Sequence, residues 1–311
     1  MKKAELRQDY LTETWTSIAP ARQSRPFHVV NAQPPRVQTE AECPFCTHNR
    51  HMTPDETFTY RQNRVIPNKY PALDGVCGFH EVLIDSPDHH YSLINAPLSM
   101  VTDTLACIQC RVRQFADVSG IKMVQTFKNH GHAAGASIYH THWQMMALPF
   151  VPVIKEIMLA NAAKYQAKTG NCYLCDVGRQ LQGDLKSHVV YETDDVVAYC
   201  PYAAVHYYGV NIMPKRHFDY NGLPAHTLSQ TAAVLQAALT GLEARFPGMS
   251  YNICFHQAPF KAAADLWHFY MQVIPRVVSY AGYEFSTSCG INTADPAEAA
   301  EQLRRLILHR A

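Results

Sequence analysis

The stretch NHGHAAGASIYHTHWQMMALP, residues 129–149, carries four histidines within thirteen positions and then turns apolar. Its centre reads His140-Thr141-His142-Trp143-Gln144. As a β-strand it places His140, His142 and Gln144 on one face and Trp143 and Met145 on the other, toward a core. Same-face neighbours stand about 7 Å apart, so His142 lies beside anything that His140 binds rather than on it.

Working outward, the chain of 311 residues has room for two ordinary domains, each able to bury a core. With a formal net charge of +1 it has no basic field to draw in nucleic acid or anionic lipid. Neither a signal peptide nor a membrane span is read from the sequence. Ten cysteines and seventeen histidines therefore point to a reducing cytoplasm, where paired cysteines hold metal more often than they form disulfides.

Three CxxC pairs occur, and their contexts differ. Cys107/Cys110 fall in PLSMVTDTLACIQCRVRQFADV, whose apolar residues recur at helical spacing, so they read as neighbours on a core helix. Cys43/Cys46 in CPFC and Cys172/Cys175 in CYLC sit in turn-like contexts. From Cys43 it is 46 positions to His89 and 97 to His140; from Cys172 it is 45 to His217 and 96 to His268. His89 and His217 each follow a strand-like run and a proline (GFHEVLIDSPDH, YYGVNIMPKRH), and His140 and His268 each open a strand ending in proline. His90 competes with His89, but the repeated spacing favours His89. Two such matches point to an internal duplication, each copy supplying a Cys, Cys, His, His set suited to structural zinc.

Strands are expected around 60–66, 79–85, 121–128 and 138–147, with helices near 97–118 and 153–168. A helix near 228–245 has Thr227 and Gln230 placed as a capping box. A last helix starts at Asp295-Pro296, with Glu298 placed to complete its cap. Strands grouped around single helices argue for an α+β chain of two tandem domains, each an antiparallel sheet with packed helices, divided as 1–168 and 169–311.

The copies differ at one telling place. Where the first has His140-Thr-His142-Trp-Gln144, the second has His268-Phe-Tyr270-Met-Gln272. The metal histidine and the glutamine are kept while His142 becomes Tyr270. His142 is thus a candidate nucleophile toward phosphorus. The turn Gly135-Ala136-Ser137 offers backbone N–H groups and a hydroxyl to a phosphate, and Gln144 an amide donor. His130 and His132 stay unassigned.

Taken together, RQDYLTETWTSIAPARQSRP, CPFC, VIPNKYPAL, GFHEVLIDSPDH and FKNHGHAAGASIYHTHWQ follow in the order found in the galactose-1-phosphate uridylyltransferase family, within the histidine-triad superfamily, which the sequence resembles over nearly its whole length. The resemblance implies two histidine-triad-like domains, the second degenerate, and a cytoplasmic homodimer. It implies ping-pong transfer of a nucleoside monophosphate from a nucleotide sugar through a nucleotidyl-histidine on His142. The acceptor expected first is a sugar 1-phosphate, as in UDP-glucose–hexose-1-phosphate uridylyl transfer, and the alternative is inorganic phosphate, as in ADP-glucose phosphorylase. In this reading Gln144 stabilises the phosphoryl group, Asn129 and Ser137 contact phosphate, and Asn68 lies by the base and ribose. Arg22 and Arg25 match phosphate-binding arginines, and Glu284 matches a hexose-contacting glutamate. Two zinc sites, structural in the family's manner, are implied on Cys43, Cys46, His89, His140 and on Cys172, Cys175, His217, His268. Departures from the galactose enzymes are Thr141, where they carry proline, and Gly290, where they can offer a glutamine to the sugar. Hydrolases of the superfamily carry H-x-H-x-H, and Gln144 cannot shuttle a proton as their third histidine does. A non-catalytic zinc-stabilised binding protein is the remaining alternative.

Overall fold

In the computed structural model, residues 3–24, 39–262 and 265–309 are described. Arg25, one of the two candidate phosphate arginines, falls outside them. The first half contributes β3 (Phe58–Tyr60), β4 (Asn63–Pro67), β5 (Phe79–Ile84), α1 (Leu98–Ala116), β6 (Met123–His130) and β7 (His142–Leu148), after an amino-terminal ribbon of β1 (Glu5–Gln8) and β2 (Trp15–Ile18). Then come α2 (Val153–Thr169), α3 (Tyr173–Gln180), β8 (Val189–Glu192), β9 (Val196–Tyr199), β10 (Val210–Pro214) and α4 (Ala225–Arg245). The chain ends with β11 (Tyr251–His256), β12 (Tyr270–Pro275), α5 (Gly282–Thr287), β13 (Gly290–Asn292) and α6 (Pro296–Leu308).

Ten strands form one antiparallel sheet in the order β3-β4-β5-β7-β6-β11-β12-β10-β9-β8. The first half runs β3-β4-β5-β7-β6 and the second β8-β9-β10-β12-β11, the same order, so the halves meet back to back. The joint is the β6–β11 pairing, from His130 opposite Tyr251 to Phe127 opposite Cys254. The ribbon β1–β2 pairs in parallel with β13, and Arg7 donates to the Tyr202 carbonyl at 2.9 Å, so the chain's first residues pack on the second half.

One face of the sheet is covered by α1 and α4. Helix α1 follows Pro97 and presents Val101, Leu105, Ile108, Val112 and Phe115, all buried, as one stripe at three- and four-residue spacing. Trp143, Met145 and Ala147 of β7 meet this core, the face the alternation predicts. Cys107 is buried there too, and CIQC is core helix. On the opposite face, α2 and α3 cover the second half through Met158, Leu174, Val177 and Tyr270. Over the first half the covering is the CPFC turn, with Phe45 packed among Ile66, Val82 and Ile84. Among the described residues no helix is long and apolar enough to cross a membrane.

Two local expectations are corrected. Helix α4 begins at Ala225 after Pro224, whose fixed φ starts it earlier than a cap at Thr227 would. Thr227 is buried within the first turn, and the Gln230 side chain instead bonds the backbone and carboxylate of Asp195. The strand expected over 138–147 begins at His142, opposite Ile84; before it the Thr141 carbonyl accepts one backbone bond from Asp85 N at 3.3 Å, and the His140 and Thr141 side chains bond to Ser86 and Asp85. At α6, which starts at Pro296 as expected, Asp295 caps the backbone N–H groups of Ala297 and Glu298.

Gly131 turns the chain out of β6 at φ +79°, and a Cβ there would stand 2.3 Å from Ser250 Oγ. Gly131→Ala is expected to lower unfolding free energy by about 1–3 kcal/mol in urea titrations; a change indistinguishable from zero would contradict this account of the turn.

Candidate active site and metal sites

His142 opens β7 and is buried. Its Nδ1 lies 2.9 Å from the His140 carbonyl, which can only accept, so Nδ1 carries the proton and Nε2 keeps a lone pair. The Phe45 ring stands edge-on to the imidazole at 5.2 Å. Burial, then the nearby Lys128 charge, push His142 down to about 4, which leaves the ring neutral near pH 7. A neutral imidazole with one fixed tautomer is a competent nucleophile.

In front of it lies a cavity of about 150 Å³ walled by Asn129, His130, Ser137, Tyr139 and the 140–142 segment. Ser137 is exposed at its rim. Gly135, at φ +84°, completes the turn that precedes it. Asn129 Oδ1 accepts from Asn252 Nδ2 at 2.8 Å, and the same amide donates to the Ala134 carbonyl at 2.9 Å. A second-half side chain thereby shapes the first-half loop. His130 stacks on Tyr251 at 4.6 Å, and burial first, then Lys128, push it down to about 4.

Beneath the cavity is a buried polar knot. Lys128 Nζ donates to Asp85 Oδ2 and to the His142 carbonyl, both at 2.9 Å. Thr141 donates its hydroxyl to the same Asp85 oxygen. A proline at 141 has no hydroxyl to donate, so the departure at this position has a structural use. Behind His142 along the face, Gln144 Oε1 lies 2.8 Å from His80 Nε2, and Asn68 Nδ2 lies 3.2 Å from that nitrogen. Asn68 and Gln144 are thus brought together through one ring.

Among the described residues, two Cys/His groups could hold a metal ion, their ligand atoms lying within 4.8 Å of one another: Cys43, Cys46, His89, His140, all buried, and Cys172, Cys175, His217, His268. Cys46 Sγ is 3.4 Å from His89 Nδ1 and 3.7 Å from His140 Nδ1; Cys175 Sγ is 3.4 Å from His217 Nδ1 and 3.5 Å from His268 Nδ1. His140 Nε2 donates to the Ser86 carbonyl at 2.7 Å, and His268 Nε2 to the Pro214 carbonyl at 2.8 Å, each partner 54 residues upstream. Both donations leave Nδ1 as the free lone pair, which is how a ligating histidine is oriented. His90 is exposed beside Glu40 and stays outside the first group.

Arg22 and Glu284 are not among the residues that wall the His142 cavity. Arg22 is exposed in the 3-10 turn Pro20–Ser24. Glu284 caps its own helix, accepting from Ala281 N at 2.9 Å. Tyr270, at the place of His142, is buried and stacked on His256 at 4.2 Å. Sequence reasoning missed Lys128, Asp85, His80 and Asn252. The lone charge in the strand MVQTFKNH was the available signal for the first.

A family described as "Domain of unknown function (DUF4931) N-terminal domain" matches residues 28–151. ADP-glucose phosphorylase of Arabidopsis thaliana is 31% identical, over 98% of this chain and 93% of its own. Galactose-1-phosphate uridylyltransferase of Thermotoga maritima is 28% identical over 96% and 98%. The crystal structure of the Arabidopsis thaliana ADP-glucose phosphorylase with bound ADP-glucose superposes with a TM-score of 0.86 at 30% identity, over 97% and 99% of the two chains. The chain belongs to the galactose-1-phosphate uridylyltransferase family of the histidine-triad superfamily, a family of nucleotidyltransferases.

Lys128 and Asp85 are both almost wholly buried, so removing one partner strands the other's charge. Lys128→Met is expected to cost about 3–5 kcal/mol of stability in denaturant titrations. A cost below about 1 kcal/mol would show that the pair does not hold the site.

Proposed function

We propose that the protein transfers a nucleoside monophosphate from a nucleotide sugar to a phosphate-bearing acceptor through a nucleotidyl-histidine on His142. The observation that carries this is the His142 ring itself, tautomer-locked by the His140 carbonyl with Nε2 free beside the cavity. In the first step the Nε2 lone pair forms an N–P bond at the α-phosphorus. The P–O bond to the sugar 1-phosphate breaks, and its electron pair leaves with that already anionic group. In the second step an acceptor phosphate oxygen attacks the same phosphorus and the N–P bond breaks, which returns His142 neutral. Neither step needs a proton donor at position 144, which suits an amide there. Gln144 and the loop N–H groups between Asn129 and Ser137 stabilise the charge that develops on the phosphoryl oxygens.

Of the two activities named among the relatives, phosphorolysis of an ADP-hexose by inorganic phosphate is favoured here. Gly290 offers no side chain where the galactose enzymes offer a glutamine, and a Cβ there would stand 3.0 Å from a Val205 methyl and 3.3 Å from Thr16, so those side chains would have to give way to any larger residue. Glu284 and Arg22 are assigned to substrate by resemblance alone, as are Asn68 and Ser137.

The metal is proposed as zinc at both sites. Bonds of about 2.3 Å to sulfur and 2.0 Å to nitrogen would give a tetrahedral S–N edge of about 3.5 Å, which the observed 3.4–3.7 Å separations match. Four protein ligands close the coordination, so zinc here supplies rigidity. The first site fixes His140, two residues before the nucleophile.

ADP-glucose labelled at the α-phosphorus is expected to leave an acid-labile, base-stable adduct on the protein, lost in His142→Ala with metal content unchanged. An undiminished adduct in that variant would exclude His142. Elemental analysis is expected to find about two zinc per chain and about one in Cys43→Ser; a metal-free protein purified without chelator would refute both sites.

A further inference from the structure

We propose that His80 is a positioning residue that fixes which end of the Gln144 amide faces the phosphoryl group. The inference rests on the nucleotidyl transfer proposed above and adds a residue that no motif match assigns.

His80 sits on β5 beside β7, where His80 pairs with Met146 and Val82 with Gln144, so His80 and Gln144 are diagonal neighbours. The ring is 9% exposed. Its Nδ1 receives the Ala72 backbone N–H at 3.1 Å. That donation occupies the Nδ1 lone pair, so the single proton of the neutral ring lies on Nε2. Nε2 then donates to Gln144 Oε1 at 2.8 Å. Asn68 does not compete for this proton, because its Oδ1 is taken by Tyr70 N at 2.9 Å and its amide nitrogen faces the ring.

The strand under His80 is fixed as well. The next residue, Glu81, accepts two hydrogen bonds of 2.7 Å from Arg111 and one of 2.9 Å from Thr57. With Oε1 held by His80, only the amide nitrogen of Gln144 is left to meet a phosphoryl oxygen. Without His80 the amide can turn by half a rotation and present its carbonyl to an anion, which is repulsive. A primary amide is symmetric enough in shape that packing alone does not select between the two orientations.

The test is single-turnover formation of the nucleotidyl adduct from ADP-glucose, measured with substrate affinity in wild type, His80→Ala, His80→Gln, Gln144→Ala and the double variant His80→Ala/Gln144→Ala. His80→Ala is expected to slow adduct formation about 10-fold or more while the dissociation constant moves less than about 3-fold. His80→Gln, which restores an N–H donor near the Nε2 position, is expected to recover most of the rate. The double variant is expected to be no slower than Gln144→Ala within about 2-fold. Unchanged chemistry in His80→Ala, or effects of the two single changes that multiply in the double variant, would overturn the assignment. Melting temperatures of the variants separate this from misfolding. If wild type forms no adduct with any nucleotide sugar, the transfer reading falls and His80's role with it, a result distinct from normal adduct formation in His80→Ala.

Discussion

One buried ammonium, Lys128, ties together three pieces of backbone on which the first half's chemistry depends. It bridges the Asp85 carboxylate at the end of β5 and the carbonyl of His142 at the start of β7, while itself rooted in β6. Thr141 adds its hydroxyl to the same carboxylate. Desolvation opposes a charged lysine in this setting and the Asp85 carboxylate sustains it, so the arrangement persists only as a set. Its consequence is that residues 140–142 cannot drift along β5. His140 is thereby presented to the cysteines on one side and His142 to the cavity on the other.

The candidate metal group and the proposed nucleophile are therefore two outputs of one constrained segment. The Ser86 carbonyl orients His140, and the His140 carbonyl orients His142. A chain of three hydrogen-bonded groups runs from the SPDH turn to the reactive nitrogen. The second half repeats the metal end of this chain through Pro214 and His268 but closes the other end with the Tyr270–His256 stack. It does contribute Asn252, which braces the loop around the first-half cavity. The β6–β11 joint that allows this makes the two halves one sheet.

The parts of this arrangement legible in the sequence are those with a residue-type signature. Thiolate and imidazole sets at matched spacing stand out because few other uses require Cys, Cys, His, His. The Tyr270 that stands in the second half where the first has His142 separated the candidate metal ligand from the candidate nucleophile without coordinates. The alternation around Trp143 and Met145 gave the buried face correctly. What stayed hidden depends on register. His80 and Gln144 are 64 residues apart and meet only because β5 and β7 pair as they do. Lys128 and Asp85 are 43 apart and could each have been a solvated surface charge. Arg22 and Glu284 rest on motif matching alone, and neither is among the residues that wall the cavity.

Covalent participation of His142 is the central claim, and the stereochemical course at phosphorus tests it most directly. Each in-line displacement inverts the α-phosphorus, so two successive displacements restore its configuration. With a nucleotide sugar made chiral at the α-phosphorus by sulfur substitution, the account expects overall retention in the transferred nucleotide. Overall inversion would mean that acceptor attacks donor directly, and would contradict a nucleotidyl-His142 intermediate.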